Sequence, residues 1–237
     1  MNKTVTEEFN KGTALYVKGK KDEAIIYFKN FSKKYPGLPE PHIALGVIYF
    51  NDKNIKEAIK EFKIALELDP ENPLVHNNLG NVYKAIGEKE KAIIEYKKSV
   101  KIDPNFSLGY VNLSSVYEEM GELKEAFSYL EKALVNTYGL PDKGLSLFFR
   151  LAIYYLLFNR LEESSKMLKR ILKQTLFKTS TEIVNLRRKC NALLKTIKNL
   201  DKLSGEEKEK EIIKTLREFE FKYIVKAISK NRQFLRN

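Results

Sequence analysis

Two histidines, His42 and His76, and one cysteine, Cys190, are the scarcest reactive side chains in the 237 residues. A histidine can ligate a metal or move a proton, and a thiolate can attack a carbonyl or hold zinc, but each chemistry needs partners at set spacings. His42 and His76 stand 34 residues apart, with no His-x-x-x-His pair and no second cysteine beside them. The chain also lacks a G-x-x-x-x-G-K-[ST] phosphate loop, a G-x-G-x-x-G turn and a G-x-S-x-G elbow. We therefore read no enzyme, no metal site and no cofactor, take both histidines as helix-packing residues, and take Cys190 as a small buried residue. The carboxylates, though plentiful, read as solvating charge on wet helix faces. The remaining chemistry is non-covalent. Asn77, Asn81 and Asn112 carry amides that both donate and accept, which suits capture of an extended backbone whatever its side chains.

These residues fall on a repeat. Leu45, Leu79 and Leu113 are 34 apart, as are Tyr49, Tyr83 and Tyr117, and Ala58, Ala92 and Ala126. Gly46 and Gly80 keep the step, with Ser114 next; Phe62, Tyr96 and Leu130 follow, and Asp69-Pro70 recurs as Asp103-Pro104. One period back lie Gly12, Ala24, Phe28 and Pro36. The register sets four copies, about 5–38, 39–72, 73–106 and 107–140. A degenerate fifth, about 145–178, appears once four residues are inserted within Asn136–Gly144, and Ser164 takes the place of its packing alanine.

Each copy reads as a helical hairpin. In the third, Pro73 suits a first turn, and Val75, Leu79, Val82, Tyr83 and Ile86 recur at helical spacing up to Gly87. A second helix runs from about Lys89, with Ala92, Ile93 and Tyr96 on one face, to Asp103-Pro104. Gly46 or Gly80 in the first helix and Ala58 or Ala92 in the second allow close approach, with Tyr49 or Tyr83 beside them. One hairpin cannot bury its apolar face alone, so neighbouring copies stack.

At these residues the chain resembles the tetratricopeptide repeat family, whose pattern places Leu-Gly, Tyr, Ala, an aromatic, Ala and Pro across 34 residues. The stretch HNNLGNVY (76–83) with Ala92, Tyr96 and Pro104 matches it, while His42, His76 and Tyr110 stand where the pattern has Trp. The resemblance implies an all-α, right-handed α-solenoid of about five hairpins over 1–178, closed by a C-terminal capping helix and a further C-terminal helix within 179–237. It also implies a concave groove lined by the first helix of each hairpin, binding a peptide segment of a partner protein. Helix geometry puts Thr13, Tyr16 and Val17, then Val47, Phe50 and Asn51, then Asn77, Asn81 and Lys84 towards that groove. Asn112, Ser115 and Glu119 follow, then Phe149, Arg150 and Ile153. One subclass of the family grips the carboxylate at the end of a chaperone with two asparagines and three cations. Asn81, Asn112 and Arg150 occupy three of those places, but Asn77 and Ser146 stand where two of the cations belong.

The tail carries a different signal. Thr179 with Glu182 and Ser204 with Glu207 are capping boxes. Behind the first run Ile183, Leu186, Cys190, Leu193, Ile197 and Leu200 as an apolar stripe; behind the second, a longer helix carries Ile213, Leu216, Tyr223, Ala227 and Ile228. The net charge of +12, from 43 Lys+Arg against 31 Asp+Glu, is confined here: residues 1–149 hold 21 Lys and 21 Asp+Glu, and residues 150–237 carry the whole excess. Arg187, Arg188, Lys195, Lys198, Lys226, Lys230, Arg232 and Arg236 form a basic patch that could contact nucleic-acid phosphates, the alternative to the adaptor reading. An acidic protein, an anionic membrane surface and a homo-oligomer through the last helix are further options for this part. The longest apolar run, Leu151–Phe158, has eight residues, far short of the roughly 18 that a membrane span needs, and MNKTVTEEFNKG lacks the apolar core of a secretory signal. The expectation is a cytoplasmic protein.

Overall fold

The computed structural model describes residues 3–134, 144–176, 180–200, 202–203, 205–218, 221, 224–226 and 228. They are helical, with no strand among them, and belong to two compact units, Met1–Pro104 and Asn105–Asn237. The first unit holds α1 (Lys3–Val17), α2 (Lys21–Lys34), α3 (Glu40–Asn51), α4 (Ile55–Leu68), α5 (Pro73–Ala85) and α6 (Lys89–Ile102). The second holds α7 (Ser107–Met120), α8 (Leu123–Ala133), α9 (Leu145–Leu157), α10 (Leu161–Gln174), α11 (Thr181–Leu200) and α12 (Gly205–Glu218). Helices pair as five hairpins, α1 with α2 through α9 with α10, and α11 packs on α10 and α12 on α11.

One backbone feature fixes the register of all five hairpins. The turn between the two helices places a residue at positive φ at Gly19, Lys53, Gly87, Gly121 and Asn159, with φ of 77°, 60°, 84°, 85° and 57°. The steps are 34, 34, 34 and 38, so the four inserted residues of the fifth copy appear directly in the backbone. At each turn the next N–H donates back across the helix end: Lys20 to the Leu15 carbonyl, Asn54 to Tyr49, Glu88 to Tyr83, Glu122 to Tyr117 and Arg160 to Tyr155, all at 2.7–3.0 Å. That bond satisfies a carbonyl that the helix end would otherwise leave unpaired, and the left-handed residue makes it possible. Glycine takes this conformation without strain, asparagine tolerates it, and Lys53 occupies it at some cost.

Inside each hairpin of the first unit the small residue meets an aromatic ring of the second helix. A methyl added at Gly12, Gly46 or Gly80 would stand 2.7, 2.6 or 2.5 Å from Phe28, Phe62 or Tyr96. The ring, rather than Ala58 or Ala92, therefore lies on the glycine, and those alanines are fully buried beside it. In the fifth hairpin Ser164 stands at the alanine position, 1% exposed, and its hydroxyl donates to the Ala152 carbonyl at 2.7 Å, which satisfies a polar group in an apolar contact.

The stripe on α11 buries Cys190, Leu193, Ile197 and Leu200 as expected, while Ile183 and Leu186 stay half-buried. Burial pushes the Cys190 thiol up to about 12, so at neutral pH it is a protonated, apolar group. The helix after it is shorter than the sequence suggests. α12 stops at Glu218, where the Phe221 N–H donates to the Leu216 carbonyl. Its buried apolar residues are Ile212 and Leu216, four apart on one face, so the half-exposed Ile213 is not the core position. Thr179, Ser204, Tyr223 and Ala227, and all of the Asn136–Gly144 insertion except Gly144, lie outside the described residues.

Candidate functional site

The turn register assigns each first-helix side chain to an equivalent position. In the first unit Tyr16, Phe50 and Lys84 are equivalents, 34 apart, and all three are half-buried. The Asn51 amide donates to the Tyr16 hydroxyl at 2.8 Å, tying α1 to α3, and α3 also contacts α5. Three first helices thus share one side of this unit, presenting two aromatic residues and a cation. Thr13, Val17 and Asn51 are exposed and Val47 is half-buried. Asn81 accepts a 2.8 Å hydrogen bond from the Tyr96 hydroxyl, and Asn77 is 1% exposed. Neither amide is therefore wholly available to an incoming chain, which sequence spacing alone had no means of detecting. At the positions of this pair the second hairpin has Val47 with Phe62, and the first has Thr13 with Phe28. Only in the third, among these, do the amide and the phenol occur together.

The histidines turn out to be paired as well as packed. His42 Nδ1 lies 2.7 Å from Glu61 Oε2, and one period later His76 Nδ1 lies 2.6 Å from Glu95 Oε2. His76 Nε2 is 3.2 Å from the Pro70 carbonyl oxygen, so both nitrogens of that ring face acceptors. Glu61 is 8% exposed, and Glu95 also accepts from Lys98, so these carboxylates are structural and not the wet-face charges that composition suggested. The same two positions hold Glu8 and Tyr27 in the first hairpin, where the Tyr27 hydroxyl donates to the Glu8 carbonyl, and the stacked rings of Tyr110 and Tyr129 in the fourth. These positions join the two helices of a hairpin by different chemistry each time. A cleft of about 380 Å³ beside His76 is lined by Pro70, Glu71, Lys98, Lys101 and Ile102.

In the second unit Asn112, Ser115 and Glu119 are half-buried on α7. The Arg150 guanidinium donates to Glu118 Oε2 at 2.9 Å and to the Ser114 hydroxyl at 3.3 Å. The Tyr154 hydroxyl donates to the same carboxylate oxygen at 3.0 Å; burial, then the Glu118 charge, hold that phenol well above its ordinary range. The cation that the chaperone-tail comparison would need is thus already neutralised inside the unit. Phe149 and Ile153, expected to face a groove, are 8% and 0% exposed. Phe149, Leu145 and Arg150 line a cleft of about 350 Å³ with Ile183, Leu186 and Lys189 of α11.

Several cations take carboxylate partners, as Lys21 does with Asp52, Lys34 with Glu8, Arg160 with both Glu131 and Glu163, and Lys166 of α10 with Glu162. On α10 and α11, Lys169, Lys173, Arg187, Arg188, Lys195 and Lys198 have no carboxylate partner among the described residues, and all but the half-buried Arg187 are exposed. Arg170 lies 4.2 Å over the Phe148 ring. Lys226 is exposed, and Lys230, Arg232 and Arg236 lie outside the described residues. Among the described residues no three His, Cys, Asp or Glu side chains gather as a metal-ligand set, and no helix is long and apolar enough to cross a membrane.

Family models described as tetratricopeptide repeat match residues 8–37, 73–106 and 109–134, and one described as TPR repeat matches 46–87. No curated protein matches the sequence. Among solved structures the chain is similar to MamA, at 25% identity over 70% of this chain and 95% of that one, with a TM-score of 0.58. A thermophilic TPR protein of Thermus thermophilus is 21% identical over 80% of this chain and 98% of its own, also with a TM-score of 0.58. Pseudomonas aeruginosa PilF is 18% identical over 97% and 90%, with a TM-score of 0.63. The last two likenesses show the fold alone. With five hairpins closed by the same left-handed turn, and family matches running from residue 8 to residue 134, the chain belongs to the tetratricopeptide repeat family.

Proposed function

We propose that this protein is a non-enzymatic adaptor of the cytoplasm that binds a peptide segment of a partner protein on the first-helix face of its first unit. One observation carries the reading: Tyr16, Phe50 and Lys84 occupy the same position in three successive hairpins, and each is half-buried. Half-buried aromatics beside a cation suit a segment with apolar side chains and an acidic one, since rigid rings supply contact area at low entropic cost. Asn112 and Arg150 belong to the equivalent face of the second unit. The test is affinity capture with the double variant Tyr16→Ala/Phe50→Ala. The partner is expected to be lost, while Ile94→Ala, an exposed position on α6, retains it. Retention by the double variant, with its helix content unchanged, contradicts the assignment.

A second reading rests on the exposed cations of α10 and α11 that have no carboxylate partner among the described residues. A row of exposed lysine and arginine attracts a polyanion such as RNA, which releases its counterions on binding. Affinity for generic RNA should then fall steeply with salt, and Arg187→Glu/Lys195→Glu should flatten that dependence. Salt-independent affinity, or no affinity at low salt, removes this option.

A further inference from the structure

The binding face of the first unit is a ladder with one rung per hairpin. Tyr16, Phe50 and Lys84 occupy equivalent positions on α1, α3 and α5. The Asn51 amide reaches the Tyr16 hydroxyl and α3 contacts α5, so successive rungs are one helix spacing apart. Packed helices lie about 8–10 Å from one another. A chain crossing them therefore meets all three rungs only if its side chains return to one face at about that interval. A β-strand repeats its face every two residues, at about 6.7 Å, and falls short. A polyproline II segment repeats every three residues, at about 9.3 Å, and fits. An α-helix offers about 10.5 Å at every seventh residue, a comparable step.

Hydrogen bonding decides between the last two. The Tyr16 hydroxyl accepts from Asn51, and no acceptor among the described residues takes its own hydrogen. A polyproline II backbone makes no internal hydrogen bonds and leaves its carbonyls to such a donor, whereas an α-helix uses its carbonyls itself. Charge sets the third rung. The turns at 13–17, 47–51 and 81–85 contain no carboxylate, and Lys84 is their one charged residue. We infer that the occupant of this face is a polyproline II segment. It sets apolar residues at i and i+3 on Tyr16 and Phe50, an acidic residue at i+6 beside Lys84, and a backbone carbonyl on the Tyr16 hydroxyl. Such a segment is preformed and loses little entropy when it docks on aromatic rings. The inference rests on the adaptor reading of this face and gives its partner a conformation and a spacing.

The experiment is an NMR titration of the isotope-labelled full chain with the synthetic peptide Leu-Pro-Gln-Leu-Pro-Gln-Asp and with its reversed sequence. One of the two orientations should shift the backbone amides of residues 13–17, 47–51 and 81–85 and saturate. Tyr16→Phe, which keeps the ring and removes the donor, should weaken that binding about fivefold, the worth of one neutral hydrogen bond. Tyr16→Ala/Phe50→Ala should weaken it by about tenfold or more. A peptide with one more glutamine in each spacer, and an alanine-rich helix carrying Leu, Leu and Asp at i, i+7 and i+14, should leave these amides unshifted. No shift with either orientation, equal binding of the longer spacing, or full affinity in Tyr16→Phe overturns the inference. If the helical peptide alone shifts these amides, the polyproline II register falls and the adaptor face stands. Partner capture retained by Tyr16→Ala/Phe50→Ala removes the adaptor reading instead, since the titration reads this face directly.

Discussion

Replacing Phe62 by alanine should lower the stability of the first unit by about 3–5 kcal/mol, and should also reverse the effect of a second change at Gly46. The Phe62 ring is wholly buried and lies where a methyl on Gly46 would come within 2.6–2.9 Å of three of its atoms. In the wild type, Gly46→Ala forces a ring that has nowhere to go, at about 1–3 kcal/mol for overpacking, partly offset by about 1 kcal/mol of better helix propensity. In the Phe62→Ala background the cavity accepts the methyl and only the propensity gain remains. Gly46→Ala should therefore destabilise the wild type and stabilise the variant, a sign change readable from urea melts followed by far-UV circular dichroism. Additive effects would mean that the glycine is not there for the ring.

The second large effect is expected at Glu118. Its carboxylate is the shared acceptor for the Arg150 guanidinium and the Tyr154 hydroxyl, with side chains 13% and 21% exposed at the carboxylate and the guanidinium. Glu118→Ala leaves a largely buried cation and a phenol without an acceptor. A loss of about 3 kcal/mol follows, at the low end for breaking a buried pair because neither partner is fully dry. Glu118→Gln keeps an acceptor oxygen and should lose about 1–2 kcal/mol. Tyr154→Phe removes the orphaned hydroxyl and should recover part of the alanine variant's deficit. Hydrogen exchange of α9 reads the series within the second unit. Equal losses for alanine and glutamine would deny the carboxylate its bridging role.

The hairpins were legible because their cause is local and repeated. A 34-residue recurrence of Leu, Tyr, Ala and an aromatic could be counted, and the four-residue step to the fifth copy returns as the spacing from Gly121 to Asn159. Pairings across a hairpin were not legible. His42 with Glu61 and His76 with Glu95 are 19 residues apart, a separation that is neither one helix turn nor one repeat. It shows only once two antiparallel helices are laid together. The recurrence of a basic ring and a carboxylate at the same two offsets was the available signal. Facing the groove was also a weaker prediction than lying on the first helix. Spacing chose the correct helix for Asn81, Phe149 and Arg150, but Tyr96, Phe221 and Glu118, all remote in sequence, decide how much of each remains available. No proline or glycine marks the end of α12 in the sequence; a backbone bond from the Phe221 N–H to the Leu216 carbonyl does so in the fold.

Partner binding is assigned to the first-helix face of the first unit. A photoreactive benzoylphenylalanine placed at position 50, and separately at position 94 on the exposed side of α6, tests it in living cells. The prediction is one partner crosslinked from position 50, through a single short segment that is apolar with an acidic residue, and none from position 94. Crosslinks of equal yield from both positions, or from position 94 alone, would contradict it.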